Sequence, residues 1–284
     1  MKPAPFTRHV PRTVAEAVEI LGRVAPQDGR VLAGGQSLVP IMAFRLARPA
    51  HLVDINEVEG LDKIASDGKT LSIGANVRHA AFHKAVVDNP LGALLSNVAR
   101  HIAHVPIRTR GTFCGSIAHA DPSAEWCLVA ATLDATMLAK STRGERLIAA
   151  KDFFEGIMTT ALAEDELLAE VRLPLLPPDT KFGFNEFNRR AGDFAMSAAL
   201  AVYRFDKGKM SDVRIGVGGA EPFPRRIAEA ESLLNGQAPS DKLFRAAAEA
   251  AAKAVDAMED HQTSADYRRD LVRAVVRRAL EHSA

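Results

Sequence analysis

Apolar residues recur along the chain at two different intervals, which separate predicted helices from predicted strands. Thr13 followed by Glu16 predicts a capping box, which begins a first helix with its apolar positions on one face. Short apolar runs at 31–33 and 51–55 predict buried strands, and the helical segment between them is expected to end before Pro49. Helix, strand, helix and strand in this order outline a small α+β unit.

The middle of the chain follows a different pattern. An alternating strand at 69–77 precedes two predicted helices, at 78–88 and 91–104. Asp121 and Pro122 predict the N-cap and the first position of a third helix. Three further strands are predicted at 135–140, 145–150 and 165–176.

A proline-rich stretch marks a boundary, and beyond it strands come first and helices afterwards. The strands are predicted at 182–190, 197–206 and 210–220, and the helices at 225–235, 240–257 and 265–282. This order predicts a three-stranded antiparallel sheet covered by a helical layer. The expected domain bounds are 1–176, with subdomains of about 1–57 and 58–176, and 177–284.

Charge and composition narrow the possible functions. The 36 basic and 35 acidic residues leave a net charge of +1, so nothing favours a nucleic-acid partner. Cys114 and Cys127 are too few for a disulfide framework or for iron–sulfur clusters on this chain. The sequence shows no signal peptide and no run of about 18 apolar residues, so we expect a cytoplasmic protein without a transmembrane segment.

Two glycine-bearing turns carry the candidate chemistry. They are "AGGQS" at 33–37 and "TFCGS" at 112–116. In each, consecutive main-chain N–H groups and a hydroxyl could form a concavity for an anion. Neither is a Walker loop or a G-x-G-x-x-G fingerprint, and an isolated Gly-Gly pair is more often an ordinary tight turn.

Several longer segments, in the same order and at matching spacing, resemble one family. The chain is similar to the FAD-binding medium subunit of molybdenum hydroxylases, a group that includes carbon monoxide dehydrogenase, quinoline oxidoreductase and the flavin domain of xanthine dehydrogenase. The segments lie at 32–56, 107–126, 165–174, 189–203 and 215–236. The resemblance implies an α+β fold: a two-subdomain FAD-binding domain of the vanillyl-alcohol-oxidase type (PCMH-like), then a C-terminal domain of the CO dehydrogenase flavoprotein type.

The resemblance also implies where FAD would be bound. The diphosphate would lie against Ala33, Gly34, Gly35, Gln36 and Ser37 from the first turn and against Thr112, Gly115 and Ser116 from the second. Main-chain N–H groups without a partner, together with hydroxyls, supply the hydrogen-bond donors that two phosphate charges need.

Further positions are assigned by the same resemblance. Glu125 would accept hydrogen bonds from the ribityl hydroxyls, and Leu168 would lie against the flavin ring, although an apolar strand residue is more often core. Asp121 either caps a helix or contacts the cofactor. The adjacent residues Gly192 and Asp193 suggest a bend beside the flavin or a subunit contact.

Cys114 departs from the family pattern, which has glycine there. A cysteine would strain the turn if the position needs a positive φ, and otherwise its thiol would lie close to the cofactor. No catalytic side chain and no metal ligand set is expected on this chain.

The function that the resemblance implies is electron transfer. The chain would carry FAD, take electrons from two [2Fe–2S] clusters on a small subunit and pass them to an external acceptor. The molybdopterin cofactor would belong to a large subunit, and the whole would form a dimer of heterotrimers. Two alternatives are a self-sufficient FAD-dependent oxidase or reductase and a non-redox nucleotide-binding module.

Overall fold

The N-terminal unit is a three-stranded parallel sheet with strand order β1-β3-β2. A computed structural model describes residues 2–261 and 263–283 of the chain. The elements of this unit are β1 (Thr7–His9), α1 (Val14–Val24), β2 (Gly29–Leu32), α2 (Leu38–Ala43) and β3 (His51–Asp54).

The predicted start of α1 is confirmed. The Thr13 hydroxyl accepts a hydrogen bond from the Glu16 N–H at 3.1 Å, while the Glu16 carboxylate accepts from the N–H of Arg12 at 2.7 Å. The reciprocal bond of the capping box is therefore displaced by one residue. β1 has no counterpart in the prediction, because it is three residues long, largely exposed and closely flanked by prolines.

The middle unit is built on a five-stranded antiparallel sheet with strand order β4-β5-β10-β6-β7. Its elements are β4 (Ile64–Ser66), β5 (Thr70–Gly74), α3 (Pro90–Ala99), α4 (Val105–Arg108), α5 (Phe113–His119), α6 (Glu125–Thr132), β6 (Thr136–Ser141), β7 (Gly144–Ala149), β8 (Phe154–Gly156), β9 (Thr159–Thr160) and β10 (Leu167–Pro174). The short strands β8 and β9 pair with each other.

Three helix predictions in this unit are wrong in detail. The segment 78–88 contains only a 3-10 turn at His79–His83. The segment 91–104 stops at α3, and Ala103 beyond it has a left-handed φ of 39°. α6 begins at Glu125, because the Asp121 carboxylate accepts from the N–H of residue 123 at 2.9 Å and forms a turn of its own.

The C-terminal unit is an antiparallel sheet with strand order β11-β12-β13-β14, followed by three helices. Its elements are β11 (Thr180–Phe187), β12 (Ser197–Asp206), β13 (Lys209–Gly218), β14 (Arg225–Arg226), α7 (Ala228–Leu234), α8 (Asp241–Ala254) and α9 (Ala265–Ser283). The predicted three strands are joined by a fourth, because Arg225 and Arg226 pair with β13. The first helix therefore begins three residues later than predicted.

β12 joins the C-terminal unit to the rest of the molecule. Ala198, Leu200 and Val202 on one face lie in the core shared with the first two units. Ala199 and Tyr203 on the other face lie in a second core beneath the helices. Burial on both faces explains why this strand reads as an unbroken apolar run.

Candidate functional site

A cleft of about 490 Å³ lies where the three units meet. Its wall includes the loop between β2 and α2, the first turn of α5 and the segment 192–194 of the C-terminal unit.

Within the described residues, no helix is both long and apolar enough to cross a bilayer. No cluster of three potential metal ligands occurs there either.

The first loop leaves main-chain N–H groups available. The carbonyls of Ala33, Gly34 and Gly35 accept hydrogen bonds from within the protein at 2.8, 3.2 and 3.0 Å. By contrast, the N–H groups of residues 34–37 have no acceptor among the residues described, and the Ser37 hydroxyl makes no capping bond. Donors without acceptors, lining a cleft, are suited to an anion.

The second predicted turn is the start of a helix. Thr112 is the N-cap of α5, and its hydroxyl accepts a hydrogen bond from the Gly115 N–H at 3.0 Å. Its carbonyl accepts from the N–H of Ser116 at 3.0 Å. All three residues line the cleft.

The first loop (33–37) touches the segment that leads into α5 (110–116), which we call the second loop. A Cβ at Gly34 would overlap the carbonyl oxygen of Arg110 and lie 2.7 Å from the Cα of Gly111. A Cβ at Gly115 would lie 3.8 Å from the Cβ of Ala33. Gly34 is thus required for the approach of one loop to the other, a reason that differs from the predicted approach to a ligand.

Two of the predicted residues lie behind the cleft. Cys114 lies in α5 without a positive φ, so its turn is not strained, and its thiol donates to the Ile73 carbonyl at 3.3 Å. Burial, followed by the charge of Glu170, raises the pKa of this thiol. The side chain of Leu168 is buried in the core. Neither residue is part of the cleft lining.

Both predicted acidic residues line the cleft, and one of them holds its proton. Burial, followed by the charge of Glu186, raises the pKa of Glu125 to about 8. The Glu125 carboxyl is therefore protonated at neutral pH, so it can donate as well as accept, whereas the sequence suggested an ionised acceptor. Asp121 is half-buried and lies beside it in the lining.

His79 lines the cleft and was not predicted. The Trp126 Nε1–H donates to His79 Nδ1 at 2.9 Å, which assigns the proton of the neutral ring to Nε2. Burial, then the charges of Arg78 and Arg108, lower the pKa of His79 to about 4. No local motif signals this position, because its partner is 47 residues away.

The C-terminal unit contributes Gly192, Asp193 and Phe194 to the wall. Gly192 has a φ of +89° and packs against His104, so the chain bends here, in accord with one of the two interpretations of this pair. Phe194 lines the cleft while 62% of it stays exposed, so it lies at the rim.

Residues 4–176 match the FAD binding domain in molybdopterin dehydrogenase, and residues 182–283 match the CO dehydrogenase flavoprotein C-terminal domain. The chain belongs to the FAD-binding medium subunits of molybdenum hydroxylases. As a medium subunit of this family it is an oxidoreductase component with an FAD-binding domain.

Individual relatives match this chain over nearly their whole length. The 6-hydroxypseudooxynicotine dehydrogenase complex subunit alpha of Paenarthrobacter nicotinovorans is 40% identical over 99% of this chain and 95% of its own length. The nicotine 6-hydroxylase medium subunit of the same organism is 38% identical over 95% and 94%. A structure of carbon monoxide dehydrogenase from Hydrogenophaga pseudoflava, lacking the Mo-pyranopterin moiety, superposes with a TM-score of 0.95 at 34% identity, covering 100% of this chain and 98% of the other.

Proposed function

We propose that the first loop and the start of α5 hold the diphosphate of FAD. The observation that carries this assignment is the run of N–H groups at 34–37, which lack acceptors in the described part of the chain although the neighbouring carbonyls are used. Ser37, Thr112 and Ser116 add hydroxyls on the same cleft. These donors line a cleft, where two phosphate charges would satisfy them.

Glu125 is proposed to contact the sugar-like ribityl chain. A protonated carboxyl can donate to one hydroxyl and accept from another, so it suits a polyol better than a buried carboxylate would. Asp121 stands beside it and, in the ionised form, provides acceptors only. Cys114 and Leu168 support the site by packing behind the wall.

Bound FAD would supply the redox chemistry, and the chain's own residues bind and orient it. We propose that electrons reach this chain from [2Fe–2S] clusters of a small subunit and leave to an external acceptor. The chain has two cysteines in total, and both are buried in the structure. A [2Fe–2S] cluster needs four protein ligands, so the clusters belong to other chains.

Substrate choice is proposed to lie outside this chain. One relative is named for nicotine and another for carbon monoxide, yet each matches this chain over nearly its whole length. A fold shared by subunits for such different molecules does not itself distinguish them. The molybdopterin cofactor and the substrate site would belong to a large subunit of a dimer of heterotrimers.

Purification of the complex from its native cells tests this proposal. The expected result is FAD, molybdenum and iron in a ratio of about 1:1:4, as two [2Fe–2S] clusters require, with two companion chains in equal amount. Dithionite should bleach the visible flavin absorption. Reduction of the flavin by an organic substrate in the isolated chain would instead support a self-sufficient oxidase, and a colourless chain would support a non-redox module.

A further inference from the structure

Asn56 lies at the carboxyl edge of the N-terminal sheet, beside the first loop. It belongs to a single 3-10 turn that follows β3, and the parallel pairing of β2 with β3 places Leu32 opposite Asp54. The chain therefore leaves both strands at the same edge of the sheet. Asn56 Nδ2 donates a hydrogen bond to the Ala33 carbonyl at 2.8 Å.

Arg78 extends this contact to the second loop. Its main chain forms an isolated antiparallel bridge with Thr112, so the side chain starts beside that loop. One terminal nitrogen of its guanidinium donates to the Arg110 carbonyl, and the other donates to Asn56 Oδ1 at 2.6 Å. The hydrogen bonds thus run without a break from Ala33 through Asn56 and Arg78 to Arg110.

Asp54 fixes the orientation of Asn56. Its carboxylate accepts from Asn56 Nδ2, which orients the amide, and also from the Asn56 main-chain N–H at 3.0 Å and the Arg8 guanidinium at 2.6 Å. Burial alone would raise the pKa of Asp54, but the hydrogen bonds from Asn56 and Arg8 outweigh it and keep the pKa below its usual value. A reversed Asn56 amide would lose both of its bonds to the loops.

The Arg78 guanidinium lies among neutral acceptors. Both of its terminal nitrogens are used on neutral acceptors, and no ion pair of its guanidinium occurs among the residues that the structure describes. Burial, followed by the neighbouring charge of Arg110, lowers the pKa of Arg78. The charge of Asp54 offsets this lowering in part, and an anion near the two loops would offset it further.

We propose that Asn56 and Arg78 are positioning residues, which lock the two loops at the separation that the diphosphate of FAD requires. They engage the Ala33 and Arg110 carbonyls, while the N–H groups of residues 34–37 in the first loop have no acceptor among the described residues and can meet the ligand. This inference rests on the proposed FAD site.

The test compares Asn56→Ala and Arg78→Met with a matched control, Asn89→Ala. The Asn89 side chain also bridges two segments, accepting from the N–H groups of Leu91 and Leu176 and donating to the Leu176 carbonyl at 2.7 Å, but its bonds reach neither of the two loops. The apo form of each full-length chain would be titrated with FAD, and its main-chain hydrogen exchange followed by mass spectrometry.

We expect the dissociation constant for FAD to rise about tenfold or more in each of the two bridge variants, Asn56→Ala and Arg78→Met. In the double variant it should rise by less than the product of the two single-variant factors, because both residues act through one bridge. Exchange should accelerate in peptides covering both loops, at 33–41 and at 110–116, in either single variant. Asn89→Ala should leave the FAD affinity within about twofold and exchange at both loops unchanged, even where it lowers thermal stability equally.

Unchanged affinity and exchange in the bridge variants would overturn the inference, as would an equal loss of affinity in Asn89→Ala. Faster exchange in only one loop would also overturn it, because a bridge must act on both. If Arg78→Met does not fold, Arg78→Lys keeps the charge but loses the fork, and should show the same two effects at smaller size. A wild-type chain that fails to bind FAD contradicts the proposed function instead, and the exchange measurement on apo protein still decides the bridge.

Discussion

The hydroxyl of Thr112 accepts a hydrogen bond from the main-chain N–H of Gly115 at 3.0 Å. This bond holds the first turn of α5 against the cleft, and Thr112 itself is almost fully buried. The hydroxyl of Thr13 makes the same kind of bond at the start of α1, to the N–H of Glu16 at 3.1 Å. These two threonine caps have the same geometry, and one lies at the cleft and the other away from it.

Replacing Thr112 by valine should weaken FAD binding, whereas the same change at Thr13 should not. Each replacement removes one N-cap hydroxyl and should cost about 1 kcal/mol of unfolding free energy. Only Thr112→Val also frees a turn that lines the cleft. Urea unfolding of the apo proteins and FAD titration check this pair. Equal FAD affinity in both variants would mean that the cap has no part in the site.

Gly35→Ala should cause loss of FAD, whereas Gly60→Ala should retain it. Both glycines have a left-handed backbone, with φ of +73° and +80°, so alanine costs about 1 kcal/mol at each position. A Cβ at Gly35 would meet Val39 at 3.1 Å, while one at Gly60 would meet no atom of the described residues within 4 Å. The measurement is the FAD content of each purified chain. Full flavin content in Gly35→Ala would contradict the placement of the diphosphate on this loop.

Glu125 should make the stability of the apo protein depend on pH. Because its folded-state pKa of about 8 lies above the ordinary 4.5, the folded protein holds this proton more tightly than the unfolded chain. The resulting stabilisation is complete below about pH 4.5 and is lost as the pH rises to about 8.

The Glu125→Gln variant isolates this effect, because the other titrating groups remain. Between pH 6 and pH 8 the wild type should lose on the order of 2 kcal/mol more unfolding free energy than the variant. Urea unfolding of both apo proteins at the two pH values measures the difference. Parallel losses would show that Glu125 is already ionised in the folded protein.

Neither cysteine should react in the folded protein. Cys114 and Cys127 are both buried, and burial raises the pKa of both thiols. A thiol reagent should label almost nothing in the native apo chain and both cysteines after denaturation. Rapid labelling of one thiol before unfolding would show that the core behind α5 opens.

Local patterns were sufficient where the determinants are close in sequence. The Thr13 cap and the Gly34–Gly35 loop involve residues a few positions apart, and both were predicted. The strand β12 was predicted at its observed bounds, but its burial on both faces was not. β14 was missed because two arginines have no strand pattern of their own.

The remaining parts of the site depend on long-range contacts that no local pattern records. His79 and Trp126 meet across 47 residues, and Arg78 reaches the Arg110 carbonyl across 32. The high pKa of Glu125 requires burial at a boundary between units, with Glu186 supplied by β11. Cys114 was misplaced because its helix turns the thiol toward β5, a direction that the glycine pattern does not specify.

Titration of the apo chain with FAD, riboflavin and ADP tests the central claim most directly. If the two loops grip the diphosphate, FAD should bind with one equivalent per chain, and riboflavin, which has the same ring but no phosphate, should bind at least about a hundredfold more weakly. ADP should compete with FAD. Equal affinity for FAD and riboflavin, or no competition by ADP, would contradict the account.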